Sequence, residues 1–441
     1  MVGLLAVLTG ISSWASPPAD AKLEGALTLP QAIKFALANN PDIVAADWDV
    51  QVAQAQHDQA IWEMLPGLKS TGGYSRYLDP QRLIPARSAT DPALYSRDIV
   101  SGDLILTLPL FTGGRLIAQT SAADLLQQTA EHRLARSRGE LVFNVSSLFF
   151  SILAQRQVVK SLEGSQQALE EHLARVDALI AAQKAARVDR LRTEVRLADV
   201  RQRLVRENNL KAIQYRALAN LLGKADSADT LSLEGELDSG EDEPAPSLED
   251  ACARARTMRD DYRAAQLAVK AQARTADAVA GGLWPSLALQ ANYGERWAAR
   301  TTSGAPTAST AEDVGRIGLA IEIPLLDEGR VSARVREQRA RLAAARQRLR
   351  RFELQVRLDV ETALLNVASS RERVEVTQKS VEQAEEGLRI ERQKYQLGKG
   401  TTGDVLDAQA AFLEAQTSYY RAWADLRTAR AQLQLAIGEE P

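Results

Sequence analysis

The sequence is written twice, and this duplication constrains the fold more than any local pattern. LTLPQAIKFALANNPDIVAA, from Leu27, corresponds to PSLEDACARARTMRDDYRAA, from Pro246. Leu65-Pro66 corresponds to Trp284-Pro285 and Tyr74 to Tyr293, an offset of 219 residues (284 − 65). Further on, Leu108-Pro109 with Gly114-Arg115 answers Ile323-Pro324 with Gly329-Arg330. Asp189 answers Asp404, and Leu222-Gly223 answers Ile437-Gly438, now at an offset of 215 (404 − 189). One short length change separates the copies, and it falls between paired strands, where loops vary. The chain must be built from two similar halves, 27–223 and 246–438, joined by an acidic linker over 224–245.

Each half carries one very long helical pattern. An apolar seam runs through Leu141, Val145, Leu148, Ile152, Val159, Leu162, Leu169, Leu173, Val176 and Ile180, with Gln155 and Gln166 as polar interruptions. The second copy repeats it through Val335, Leu342, Leu349, Phe352, Val356, Val360, Val367, Val374, Val381 and Leu388. A helix over about 115–184 is roughly 105 Å long, and it cannot bury its seam alone. The spacing predicts antiparallel hairpins over about 115–222 and about 330–437. A helix over about 41–65 would cover the rest of the first seam. Aromatic residues make up only 5% of the chain, which suits narrow seams better than a thick core.

Between the helices lie four alternating segments, at about 68–78, 99–110, 286–297 and 314–325. Ile317, Leu319, Ile321 and Ile323 oppose Arg316, Gly318, Ala320 and Glu322. Leu287, Leu289, Tyr293 and Trp297 oppose Gln290, Asn292 and Arg296. A soluble antiparallel sheet gives the same alternation. However, the segments are about ten residues long, the length of a tilted bilayer crossing. The connections 79–98 and 298–313 are long and polar, as external loops of membrane barrels are. Four strands cannot close a barrel in lipid, where open edges are not tolerated. Two chains would supply eight strands and a filled lumen; three would supply twelve and room for a passage.

Other classes find little support. Net charge is −3, so nothing points to nucleic acid, and the single Cys252 excludes an internal disulfide framework. His57, His132 and His172 lack ligand spacing. No nucleophile–base pairing, metal cluster or cofactor loop is visible, so no enzyme, metal or cofactor is expected. YQLGKGTTGDVLDAQ, from Tyr395, has the glycines and lysine of a phosphate cradle. Yet no Gly-Lys-Ser/Thr occurs in it, and the preceding residues are too charged for a buried strand. It reads instead as a helix ending near Gly398 and another starting near Gly403. The apolar N-terminus, GLLAVLTGISSWASPPADA, resembles a secretory leader over 1–21, cleaved after Ala15 or Ala21.

The duplicated order of helix, two strands, long helix and shorter helix resembles the TolC family of outer-membrane efflux proteins. So do LTLPLFTGGR and YQLGKGTTGDVLDAQ. The resemblance covers the chain beyond the leader. It implies a mainly α-helical fold with transmembrane β: a homotrimeric channel-tunnel with a 12-stranded barrel in the outer-membrane lipid and a coiled-coil tube across the periplasm. It implies an exit duct for a tripartite efflux pump or type I secretion system. The partners would be a periplasmic adaptor (membrane fusion) protein and an inner-membrane transporter of RND, ABC or MFS class. The alternative is a soluble periplasmic coiled-coil scaffold or adaptor. By family position, Asp404 and Asp407 would ring the periplasmic aperture, and Tyr395 with Asp189 would latch neighbouring hairpins. Lys184, Gly398, Lys399 and Gly400 would lie at adaptor-facing tips. Gly400 stands where the family's best-known member has an arginine, so an Arg-centred latch is not expected. The first tip, AAQKAARVDRL, lacks the usual glycine, so its turn is expected to be tighter or more helical.

Overall fold

The computed structural model describes residues 26–85, 94–224, 231–237, 245–299, 311–325 and 329–439. The leader and most of the acidic linker lie outside these residues. The chain forms two compact units. One comprises Met1–Ala38, Asn144–Asp242 and Ser370–Thr428; the other comprises Asn39–Phe143, Glu243–Ser369 and Ala429–Pro441.

The element order repeats as the sequence does. A two-residue strand β1 (Ala26–Leu27) precedes α1 (Leu29–Asn39), α2 (Pro41–Trp62), β2 (Gly67–Arg82), β3 (Tyr95–Phe111), α3 (Arg115–Ala181) and α4 (Arg187–Leu221). After β4 (Ser232–Leu233) come α5 (Leu248–Met258), α6 (Asp260–Gly281), β5 (Ser286–Ala298), β6 (Ala311–Glu322), α7 (Arg330–Gln396) and α8 (Thr402–Ile437). The long helices α3 and α7 have 67 residues each.

In the first unit the seam of α3 is covered by α4 and α8. Val158, Leu162 and Leu169 pack with Leu197, Val200, Leu406 and Leu413. Gln155, the polar interruption, is buried where α4 brings a carboxylate to it. Its Nε2 donates to Glu207 O and Oε2, each at 2.9 Å, and Arg206 donates to Oε1 at 2.8 Å. Thus the interruption fixes the register of α3 on α4, because a one-turn slip would take the buried Gln155 amide away from both of its Glu207 acceptors. The linker carries more structure than its acidic composition suggested. β4 pairs in parallel with β1, and Arg156 donates to Leu233 O at 2.6 Å.

In the second unit Val356, Val360, Ala363 and Val367 of α7 pack with Ala429, Leu433, Ala436 and Ile437 of α8 and with Ala251, Ala255 and Tyr262. At the α5–α6 corner Arg259 is 3% exposed. It donates to both Asp261 oxygens, at 2.7 and 3.0 Å, to Asp359 at 3.2 Å and to Ala436 O at 3.4 Å. α3 contains a window as apolar as a membrane span, but 56% of that window is buried inside the protein, as a core helix is.

The strands form one antiparallel sheet in the order β2-β3-β5-β6. Directly paired residues share a face. The register Leu68↔Leu106, Leu104↔Tyr293, Leu108↔Leu289, Leu289↔Leu319 and Ala291↔Ile317 collects the large apolar residues on one side. Ile317, Leu319 and Ile321 remain 74%, 62% and 67% exposed there. The opposite face carries Asp103, whose Oδ1 accepts from Arg296 at 3.0 Å, along with Gln290, Asn292 and Arg316. β2 and β6 are longer than a short protected edge, and neither has a second strand partner among the described residues.

Candidate functional site

Two helix-to-helix turns lie at equivalent places in the repeat, and their backbones match position for position. At the second, Gly398 N donates to Tyr395 O at 3.0 Å and Lys399 N to Lys394 O at 2.9 Å. At the first, Gln183 N donates to Ile180 O at 2.9 Å and Lys184 N to Leu179 O at 2.8 Å. Both are helix ends closed by one residue in the left-handed region. That residue is Gly398, with φ 70°, in one turn, and Gln183, with φ 60°, in the other. The expectation of a tighter or more helical first turn is therefore overturned: the tertiary frame imposes the same turn on a glutamine. A side chain there costs roughly 1–2 kcal/mol. Gln183→Gly should accordingly raise stability by about 1 kcal/mol, and Gly398→Ala should lower it by a similar amount, both read as midpoint shifts in thermal unfolding.

The aspartates of each turn are helix-start acceptors. Asp404 Oδ2 accepts from Thr401 N at 2.9 Å and from Thr401 Oγ1 at 2.7 Å, while Asp404 N donates back to Thr401 Oγ1 at 3.2 Å. Asp189 Oδ2 accepts from Ala186 N at 3.3 Å. The Thr401 hydroxyl and amide hold the Asp404 carboxyl below the usual carboxylate range. Asp407 is exposed one turn further along α8. Gly400 fits its place closely, since a Cβ there would lie 3.1 Å from Lys394 Cβ and 3.2 Å from Tyr395 N. Lys184 and Lys399 are exposed at the two turns.

Tyr395 and Asp189 are both half-buried, but they are not hydrogen-bonded to each other. Instead Tyr395 places its ring against that of His172 on α3, with centroids 5.3 Å apart and planes at 53°. Asp189 also acts electrostatically on His172. In the sequence this histidine lacks ligand spacing. Its signal was positional: it stands three residues after Leu169 and four before Val176, on the seam itself. Among the described residues no group of three or more His, Cys, Asp or Glu is placed to hold a metal ion.

The sequence profile of the outer membrane efflux protein family matches residues 32–224 and 252–439. The chain belongs to that family.

As such it is an outer-membrane efflux channel, from a family of channel proteins rather than enzymes. The exposed apolar sheet face is the surface that location demands, and the soluble scaffold or adaptor reading is thereby set aside. The pyoverdine export protein OpmQ of Pseudomonas aeruginosa is 26% identical over 430 residues, covering 94% of this chain and 85% of OpmQ. The cobalt-zinc-cadmium resistance protein CzcC of Cupriavidus metallidurans is 29% identical over 143 residues, and this chain spans only 34% of its length. The crystal structure of the outer membrane protein VceC of Vibrio cholerae superposes with a TM-score of 0.76 at 20% identity, covering 93% of this chain and 96% of that one. This last likeness is one of fold. Both matched segments of the efflux profile include a turn described above, so each half carries its own tip.

Proposed function

We propose that this efflux protein works as a homotrimer whose twelve strands close a barrel in the outer membrane, forming an exit duct that opens at the two helix turns. The observation that carries this reading is the four-stranded sheet, apolar on its exposed face and, among the described residues, without a strand partner at either edge. Lipid cannot satisfy the N–H and C=O groups of β2 and β6, so they require strands from other copies. Two copies would leave no passage. In sequence, α3 and α7 lead from these strands to the turns. The turns would then form the periplasmic mouth, with Lys184, Gly398, Lys399 and Gly400 facing a periplasmic adaptor protein. That adaptor would link the duct to an inner-membrane transporter of RND, ABC or MFS class.

Asp404 and Asp407 lie at i and i+3 on α8, which places them on one helix face. Three copies would bring six carboxylates around the axis, making the mouth cation-attracting. Tyr395 and Asp189 would act as the latch that ties neighbouring hairpins in the closed mouth. The test is single-channel recording in planar bilayers with Asp404→Asn combined with Asp407→Asn. Asparagine still accepts the Thr401 hydrogen bonds, so the helix start is preserved. Cation preference should fall and block by multivalent cations should weaken, with trimer stability little changed. Wild-type selectivity combined with weakened trimers would mean that the carboxylates are helix-end groups alone.

A further inference from the structure

His172 is 3% exposed, and its Nε2 has no hydrogen-bond partner. Leu169 and Val176, its neighbours along the α3 seam, are 1% and 0% exposed. Tyr395 of α7 lies against the ring at 5.3 Å between centroids. The charged groups that reach it are Arg175 on its own helix, Arg392 on α7 and Asp189 on α4. The neutral imidazole suits this place. An imidazolium would carry a second buried N–H with no acceptor, beside two guanidinium groups and only one carboxylate.

We propose that His172 is an acid-sensitive pin for the mouth: neutral, it packs α3 against Tyr395 and holds both turns, and on protonation it releases them. The proposal rests on the reading of these turns as the aperture only for its consequence on conductance. Burial, together with Arg175 and Arg392, pulls the His172 pKa below its ordinary value, opposed by Asp189. The unfolded or opened form therefore binds the proton more readily than the packed one. The packing contribution is complete above about pH 6.5, the ordinary histidine value, and is lost as pH falls below it. At about pH 5.5 the released state gains up to about tenfold, because an exposed histidine is then about ten-elevenths protonated. Asp189, which caps α4, and Tyr395, the residue before the last of α7, would carry the release to the two turns.

The test is hydrogen exchange read by mass spectrometry on the full detergent-extracted protein at about pH 5.5 and 7.5, corrected for intrinsic exchange rates. In the wild type, peptides over 169–181 and 388–397 should lose up to about tenfold protection at the lower pH. His172→Phe, which keeps a ring against Tyr395, and His172→Gln should each show equal protection at both pH values. Peptides over 251–262 serve as the internal reference. Unchanged wild-type protection, a pH response surviving in both variants, or an equal loss at the reference would overturn the proposal. Loosened turns with no rise in bilayer conductance would uphold it and count against the aperture reading, so the two can fail separately.

Discussion

Replacing Leu319 with arginine should lower the stability of the membrane-assembled protein by roughly 2–4 kcal/mol, whereas arginine at Ala320 should be tolerated. Leu319 is the middle member of the run Ile317, Leu319 and Ile321, and it pairs with Leu289 on the apolar face. The polar pair Glu295↔Asp313 lies further along the same face and marks where the apolar band ends. Tyr293, next to that border, is 58% exposed, as an interfacial aromatic is. Ala320 pairs with Ala288 on the opposite face, which also carries Asn292, Arg296 and Arg316. The measurement is the denaturant midpoint of protein refolded into bilayers, together with trimer yield. Normal folding of Leu319→Arg with impaired Ala320→Arg would show that the two faces are exchanged.

Arg259→Ala should cost about 3–5 kcal/mol, the range for breaking a buried ion pair from one side. Its loss strands Asp261, itself largely buried, and removes a donor from the Ala436 carbonyl near the end of α8. Arg136 lies 3.5 Å from the same Asp261 and cannot replace a two-pronged hydrogen bond. Arg259→Lys should recover only part of the loss, since a point charge does not span both Asp261 oxygens. Burial would raise the Asp261 pKa, yet the Arg259 hydrogen bond and charge hold it below the ordinary value. A carboxyl lowered in this way stabilises the fold above about pH 3.9, and the contribution disappears as pH falls through the lowered value. Arg259→Ala should therefore also flatten the acid limb of a stability-against-pH curve measured by thermal unfolding.

The duplicated punctuation, the two hairpins and the strand faces were legible because each is a periodic signal repeated at a fixed offset. The alternation around Leu319 gave the apolar face directly, and the register of β5 on β6 bears it out. The strands β2 and β3 run further than the periodicity indicated, to Arg82 and from Tyr95, since backbone pairing continues where side-chain alternation fades. β1 and β4, at two residues each, are too short to leave a pattern. The first turn was misjudged because propensity alone cannot place a glutamine at positive φ; the flanking helices do that. Asp404 was placed correctly at a helix start, but its partner Thr401 emerged only with the backbone. Arg259 and His172 were hidden for a shared reason. Their partners Asp359 and Tyr395 lie 100 and 223 residues away in sequence (395 − 172), and nothing local announces such a meeting.

If one chain holds only part of the barrel, its copy number in the membrane is decisive. Native mass spectrometry of protein extracted from outer membranes in mild detergent reads that number directly. Three chains per particle, dissociating to single chains only when strand pairing is lost on heating, is the predicted result. A stable monomer would contradict the account, because β2 and β6 would then have to close without partners. A dimer would contradict it equally, because eight strands leave no open lumen for a duct.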